Sequence, residues 1–184
     1  MIIVILSLLI ASPFIGVFLL NKYKWMGWLL ISLPFVPVLF FLIWSGLESQ
    51  HYFVRTTTLA NEQIAGFSLN SSLSAKQLNY LNQFERMMNE DDGYLFESND
   101  FRITMDGDDR VISLLVSDPS IVTSSGLKVG LTVEEAIAIY GEHYYTYREM
   151  CMGTAIVYVD RENRYELKIW MSDETVSYFS FSVY

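Results

Sequence analysis

The chain predicts an α+β protein, with an N-terminal two-helix transmembrane hairpin and a domain of two helix-plus-three-strand repeats whose antiparallel sheet carries the helices on one face. Three observations predict this. Residues 1–47 are apolar almost without interruption, and every acidic side chain lies after them. Beyond residue 66, short helical stripes are followed by runs that alternate apolar and polar residues. The pattern that starts at Gly66 then starts again at Gly126.

A helix crosses the roughly 30 Å of bilayer hydrocarbon in about 20 residues. Residues 1–20 contain no charged side chain, and neither do residues 25–44. Between them stands only Asn21-Lys22-Tyr23-Lys24, a short turn. Pro13, Pro34 and Pro37 would break a soluble helix, but a membrane helix tolerates them as kinks. Trp25, Trp28 and Trp44 fall toward the ends of the second span, where indoles favour the interface. A cleavable signal peptide would need a basic start, and no Lys or Arg precedes Lys22. Lys22 and Lys24 in the turn outweigh Arg55 after the second span, which places both termini and the C-terminal domain outside the cytoplasm.

Residues 48–184 carry all 21 acidic residues and 10 of the 12 basic ones, a formal charge of −11. Such a balance argues against nucleic acid and anionic headgroups as partners, since both demand clustered Lys and Arg. The single cysteine, Cys151, allows no intrachain disulfide.

Residues 48–65 have no clear period and are expected to be a juxtamembrane linker, with residues 66–184 as the soluble domain. Over 74–90, Leu81, Phe84 and Met88 fall at i, i+3 and i+7, and Ser74 with Gln77 has capping-box spacing, so a helix is expected there. Asn89-Glu90-Asp91-Asp92-Gly93 ends it. Phe101, Ile103 and Met105 alternate with Arg102 and Thr104 as a half-buried strand. Asp106-Gly107-Asp108-Asp109 turns the chain into a return strand over 111–116. Thr132 and Glu135 form a second capping box ahead of Ala136, Ile137 and Tyr140, and Gly141 stops that helix. Strands are expected over 155–159, 165–170 and 176–183.

The halves 66–118 and 126–184 align at offsets of 60 to 65 residues. Gly66-Phe67-Ser68-Leu69-Asn70 matches Gly126-Leu127-Lys128-Val129-Gly130. Phe101-Arg102-Ile103-Thr104-Met105 matches Tyr165-Glu166-Leu167-Lys168-Ile169, and Asp108-Asp109-Arg110-Val111 matches Asp173-Glu174-Thr175-Val176. The run from Gly126 to Gly130, then Thr132-x-x-Glu135 and Tyr140-Gly141, resembles a repeat module of bacterial envelopes. That module occurs in β-lactamase-inhibitory-protein-like proteins and in the small lipoproteins of outer-membrane assembly. Residues 126–184 carry the likeness best. In place of the family's Leu-Gly-x-Pro step stands Tyr140-Gly141-Glu142-His143. The resemblance implies a binding surface on an antiparallel sheet and no chemistry.

Several groups invite a functional reading. His51 and His143 are the only histidines. Glu142-His143 with Cys151 is the nearest approach to a nucleophile and base. A lone Cys beside an apolar strand is more often packing. Asp106, Asp108 and Asp109 offer oxygens to Ca2+ but lack the distal Glu of a full loop, and turn chemistry explains them as well. The aromatics carry more weight. Tyr144, Tyr145, Tyr147, Tyr158 and Trp170 are the expected members of an aromatic, acidic sheet surface, because Tyr and Trp serve as interface anchors.

The expectation is therefore a non-catalytic, membrane-anchored module with no metal or cofactor, binding a protein or envelope component and no nucleic acid. The alternatives are an accessory or sensory subunit acting through its hairpin, and an enzyme using His143 and Cys151.

Overall fold

The computed structural model describes residues 2–49, 51–88, 93–98, 100–149 and 153–184, and side-chain burial from Leu9 onward. The chain divides into two compact units, Met1–Phe53 and Val54–Tyr184.

The first unit is helical. Its elements are α1 (Ile2–Leu19), α2 (Lys24–Ser32) and α3 (Phe35–Ser49). Leu33 keeps helical dihedrals, and Pro34, which has no N–H, interrupts the hydrogen-bond ladder between α2 and α3. Helical residues Lys24–Glu48 are long and apolar enough to cross a membrane by length and composition. Large side chains point outward on these helices: Phe14, Phe18, Trp25, Phe40 and Phe41 are 65–86% exposed. The backbones of α1 and α2 approach closely. A Cβ on Gly16 would lie 2.8 Å from the Gly27 carbonyl oxygen, and one on Gly27 would lie 2.8 Å from that of Gly16. Small residues permit such contact, and buried Ser12 continues the stripe one turn before Gly16.

The second unit is α+β. It contains α4 (Ala75–Leu81), β1 (Glu85–Met88), β2 (Tyr94–Glu97), β3 (Phe101–Met105) and β4 (Val111–Val116). These are followed by α5 (Val133–Tyr140), β5 (Tyr145–Glu149), β6 (Gly153–Asp160), β7 (Tyr165–Ser172) and β8 (Thr175–Val183). The eight strands form one antiparallel sheet in the order β1-β2-β3-β4-β8-β7-β6-β5.

Local chemistry sets the helix starts. In α4 the Ser74 side chain accepts from the Gln77 N–H while the Gln77 side chain accepts from the Ser74 N–H, and Thr132 and Glu135 do the same for α5. Each box satisfies two otherwise orphaned donors. Equivalent backbone bonds precede both helices. Val111 N–H donates to Ser71 and its carbonyl accepts from Asn70, just as Val176 N–H donates to Leu131 and its carbonyl accepts from Gly130. Asn70 and Gly130 hold φ of 56° and 89°, a region that Asn and Gly enter at least cost.

The core lies between one face of the sheet and the helices. Leu81 of α4 and Ala136 of α5 share a buried cluster with Phe101, Ile103, Leu114, Tyr158, Leu167, Ile169, Phe179 and Phe181. Full burial of a side chain the size of Phe179 contributes roughly 1.5–3 kcal/mol. Strand pleating sends the alternate residues to the other face.

Three expectations change. The helix expected over 74–90 ends at Leu81, and Glu85–Met88 is an edge strand paired with β2, so Phe84 and Met88 leave the stripe. Each helix is followed by four strands instead of three, because β1 and β5 add an outer strand at each end of the sheet. The supposed linker is built into the folded unit from Val54 on. Leu59, Glu62 and Ile64 are buried, Thr56 bridges Val159 in parallel, and Ile64 bridges Thr123. Loss of periodicity there reflects irregular packing onto the sheet edge. Buried Glu62 stays satisfied by Ser124 and Ser125.

Candidate functional site

Pleating settles which aromatics share a surface. On β5, Tyr145, Tyr147 and Glu149 have one parity. Their partners on β6 are Val157, Ala155 and Gly153. Ala155 faces Trp170 on β7, and Trp170 faces Tyr178 on β8. None of these residues belongs to the helix-side core cluster. They therefore occupy the face directed away from the helices.

Two of the five expected residues do not. Tyr158 is 0% exposed in the core, where its hydroxyl donates to the Gly141 carbonyl at 2.8 Å. Its ring meets Tyr140 at 5.3 Å and Tyr144 at 5.7 Å. Tyr144 is one residue from Tyr145, and that single step turns it toward the helix side. The structure thus brings together Tyr145, Tyr147 and Trp170, and assigns Tyr144 and Tyr158 to packing.

Two further residues complete the group. Glu149 Oε2 accepts from the Tyr147 hydroxyl at 3.0 Å and from Trp170 Nε1–H at 3.1 Å. Tyr178 stacks on Trp170, with ring centroids 4.7 Å apart and planes 17° apart. The Tyr178 hydroxyl is buried and has no hydrogen-bond partner among the described residues. The signal for Glu149 was present in the sequence, since it lies two residues after Tyr147 and shares its parity. Tyr178 was separable from Phe179 and Phe181 by the same count.

Beneath these rings, Ala155 and Val157 form a fully buried floor. Beside them Lys168 pairs with Glu166 at 2.6 Å, and Glu166 also accepts from Ser182. Burial, then the charge of Glu166, pushes the Tyr145 phenol up to about 12. Burial also raises the Tyr147 phenol, reinforced by the hydrogen bond to Glu149 and its charge. Tyr178 is raised by burial and then by Glu149. All three phenols are neutral near pH 7, so Tyr147 is a donor to Glu149.

Two of the other candidate residues, His143 and Asp106, make structural bonds. Arg55 Nη1 donates to His143 Nε2 at 3.1 Å, and Thr57 donates to the His143 carbonyl. His143 thereby ties the segment after Val54 to the start of β5. Cys151, the nucleophile of the enzymatic alternative, lies outside the described residues. Asp106 Oδ1 accepts from the N–H groups of Asp108 and Arg110, which makes it the cap of the β3–β4 turn. Among the described residues, no three His, Cys, Asp or Glu side chains are grouped to hold a metal ion.

Compared with known proteins, the chain matches no family model, no curated protein and no solved structure.

Proposed function

We propose that this is a membrane-anchored binding protein whose C-terminal domain faces out of the cytoplasm and engages another polypeptide through the aromatic face of β5–β8. In this reading α1 forms one span and α2–α3 the other. The close approach at Gly16 and Gly27 and the exposed rings of α3 support that arrangement. The paired capping boxes and the paired bonds to Val111 and Val176 support a tandem repeat of the kind the envelope module resembles. The domain acts by occupancy, without catalysis.

One observation carries the reading. Tyr145, Tyr147, Trp170 and Tyr178 collect on the sheet face that the helices leave uncovered, and Tyr145, Tyr147 and Tyr178 stay partly exposed there.

A photo-crosslinking residue at Tyr145 of the full-length protein in its native membrane tests it. One polypeptide other than the chain itself should be captured, and a crosslinker at Thr104, on the same face of β3, should capture none. Capture from Phe40 in α3 with none from Tyr145 would transfer the function to the helical unit. An impermeant maleimide should label a Ser98→Cys, Cys151→Ser variant in intact cells.

A further inference from the structure

We infer that Tyr147, Glu149, Trp170 and Tyr178 form a cation cage, and that the partner polypeptide fills it with a lysine or arginine side chain. This rests on the reading of the aromatic face as a binding surface and names the chemistry that surface selects.

Two rings share one carboxylate, and a third stacks on one of them. Tyr147 and Trp170 both donate to Glu149 Oε2, and Tyr178 lies against Trp170. These two bonds fix the carboxylate on one oxygen. No described group donates to Glu149 Oε1. Glu149 has no basic partner either, since the ion pairs among the described residues are Arg102–Glu97 and Lys168–Glu166. Among the described residues the carboxylate therefore has no basic counter-charge, and it lies at the polar edges of Tyr147 and Trp170.

Exposure shows where a cation would enter. Trp170 is only 5% exposed and serves as the wall, while Tyr147, Glu149 and Tyr178 are each half-buried and form the rim. An anionic or neutral side chain would leave Glu149 without a counter-charge. A primary ammonium or a guanidinium supplies that counter-charge, and the domain charge of −11 draws such a group in.

The test uses the full-length protein in lipid nanodiscs with Trp25, Trp28 and Trp44 changed to Phe, so that Trp170 is the sole indole. Its N–H resonance reports the bond to Glu149. The probes are the peptides Gly-Gly-Arg-Gly-Gly and Gly-Gly-Lys-Gly-Gly, with Gln-centred and Glu-centred peptides as controls. The basic peptides should shift the indole resonance saturably in the millimolar range, and the controls should not. Glu149→Gln keeps an acceptor for both donors and should weaken the effect at least tenfold. Tyr147→Leu should weaken it about fivefold, whereas Tyr147→Phe, which keeps the ring, should retain it.

Indifference of the indole to the basic peptides, or an equal response to the Gln-centred peptide, would overturn the cage. So would full retention in Glu149→Gln. If that variant does not fold, the contrast between Tyr147→Leu and Tyr147→Phe decides alone. Photocapture from Tyr145 together with an indole indifferent to cations would leave the binding reading standing and remove only the basic side chain.

Discussion

The two halves of the sheet are alike in the bonds that precede their helices and differ in what they present outward. Before each helix the chain makes the same pair of bonds to the start of a strand, and each helix opens with a reciprocal cap. On the face away from the helices, however, β2–β4 carry Leu95, Glu97, Arg102, Thr104, Ser113 and Leu115, while β5–β8 carry Tyr145, Tyr147, Lys168, Trp170 and Tyr178. The helix-side cores differ too. At matching register Phe96 pairs with Ile103 and Tyr158 with Leu167, so the C-terminal half adds a hydroxyl that reaches the end of its helix. Backbone geometry constrains turns and caps tightly, whereas a solvent-side face constrains its residues little. Divergence on that face is therefore the better guide to function.

The largest expected effect concerns a latch at Asp160 in the C-terminal half. Asp160 is 2% exposed and accepts from the N–H groups of Leu59, Glu162 and Asn163 and from the Asn163 side chain. Burial pushes its carboxyl up, and these hydrogen bonds together more than offset that, leaving it below its ordinary value. Asp160→Ala should lose about 3 kcal/mol in urea unfolding of the full-length protein, because several donors are left unpaired. The Leu59 amide should also exchange faster. A lowered carboxyl stabilises the fold fully above its unfolded pKa of 3.8 and loses that contribution as pH falls through the folded value. The gap between wild type and variant should therefore be constant near pH 7 and narrow below about pH 4. Next in size, Tyr158→Phe makes the C-terminal core resemble the N-terminal one and should cost about 1.5 kcal/mol, since the Gly141 carbonyl loses its donor. An unchanged midpoint would mean that the two cores are already equivalent.

What could be seen in the chain beforehand follows the range of the interaction. Both capping boxes and the Asp106 turn were legible, because each is closed by residues within four positions of one another. The strand over Glu85–Met88 was not, because its pairing with β2 is non-local and Leu81, Phe84 and Met88 happen to satisfy a helical period. Residues 54–64 were misread for the same reason. Leu59 is held by Asp160, 101 positions away. Parity separates Tyr144 from Tyr145 in sequence, but which parity meets the helices depends on a register only the assembled sheet defines.

The caps should behave alike where the faces do not. Ser74→Ala and Thr132→Ala should each cost about 1 kcal/mol in urea unfolding, since each removes the same reciprocal pair. A negligible effect at Ser74 with a full effect at Thr132 would show that α4 contributes little to its half.

The smallest expected effect tests the comparison most directly. Arg102 occupies the outer face of β3, exposed and paired with Glu97 on the neighbouring strand. Exposed ion pairs exchange water for each other at little net gain, so Arg102→Ala should stay within about 0.5 kcal/mol of wild type. It should also leave photocapture from Tyr145 unchanged, because no ring of the aromatic group lies on β2 or β3. If stability held while capture disappeared, Arg102 would be in contact with the partner. The polar half of the face would then be part of the binding surface, and the difference between the halves would mark two sides of one footprint instead of a bound half and a bare one.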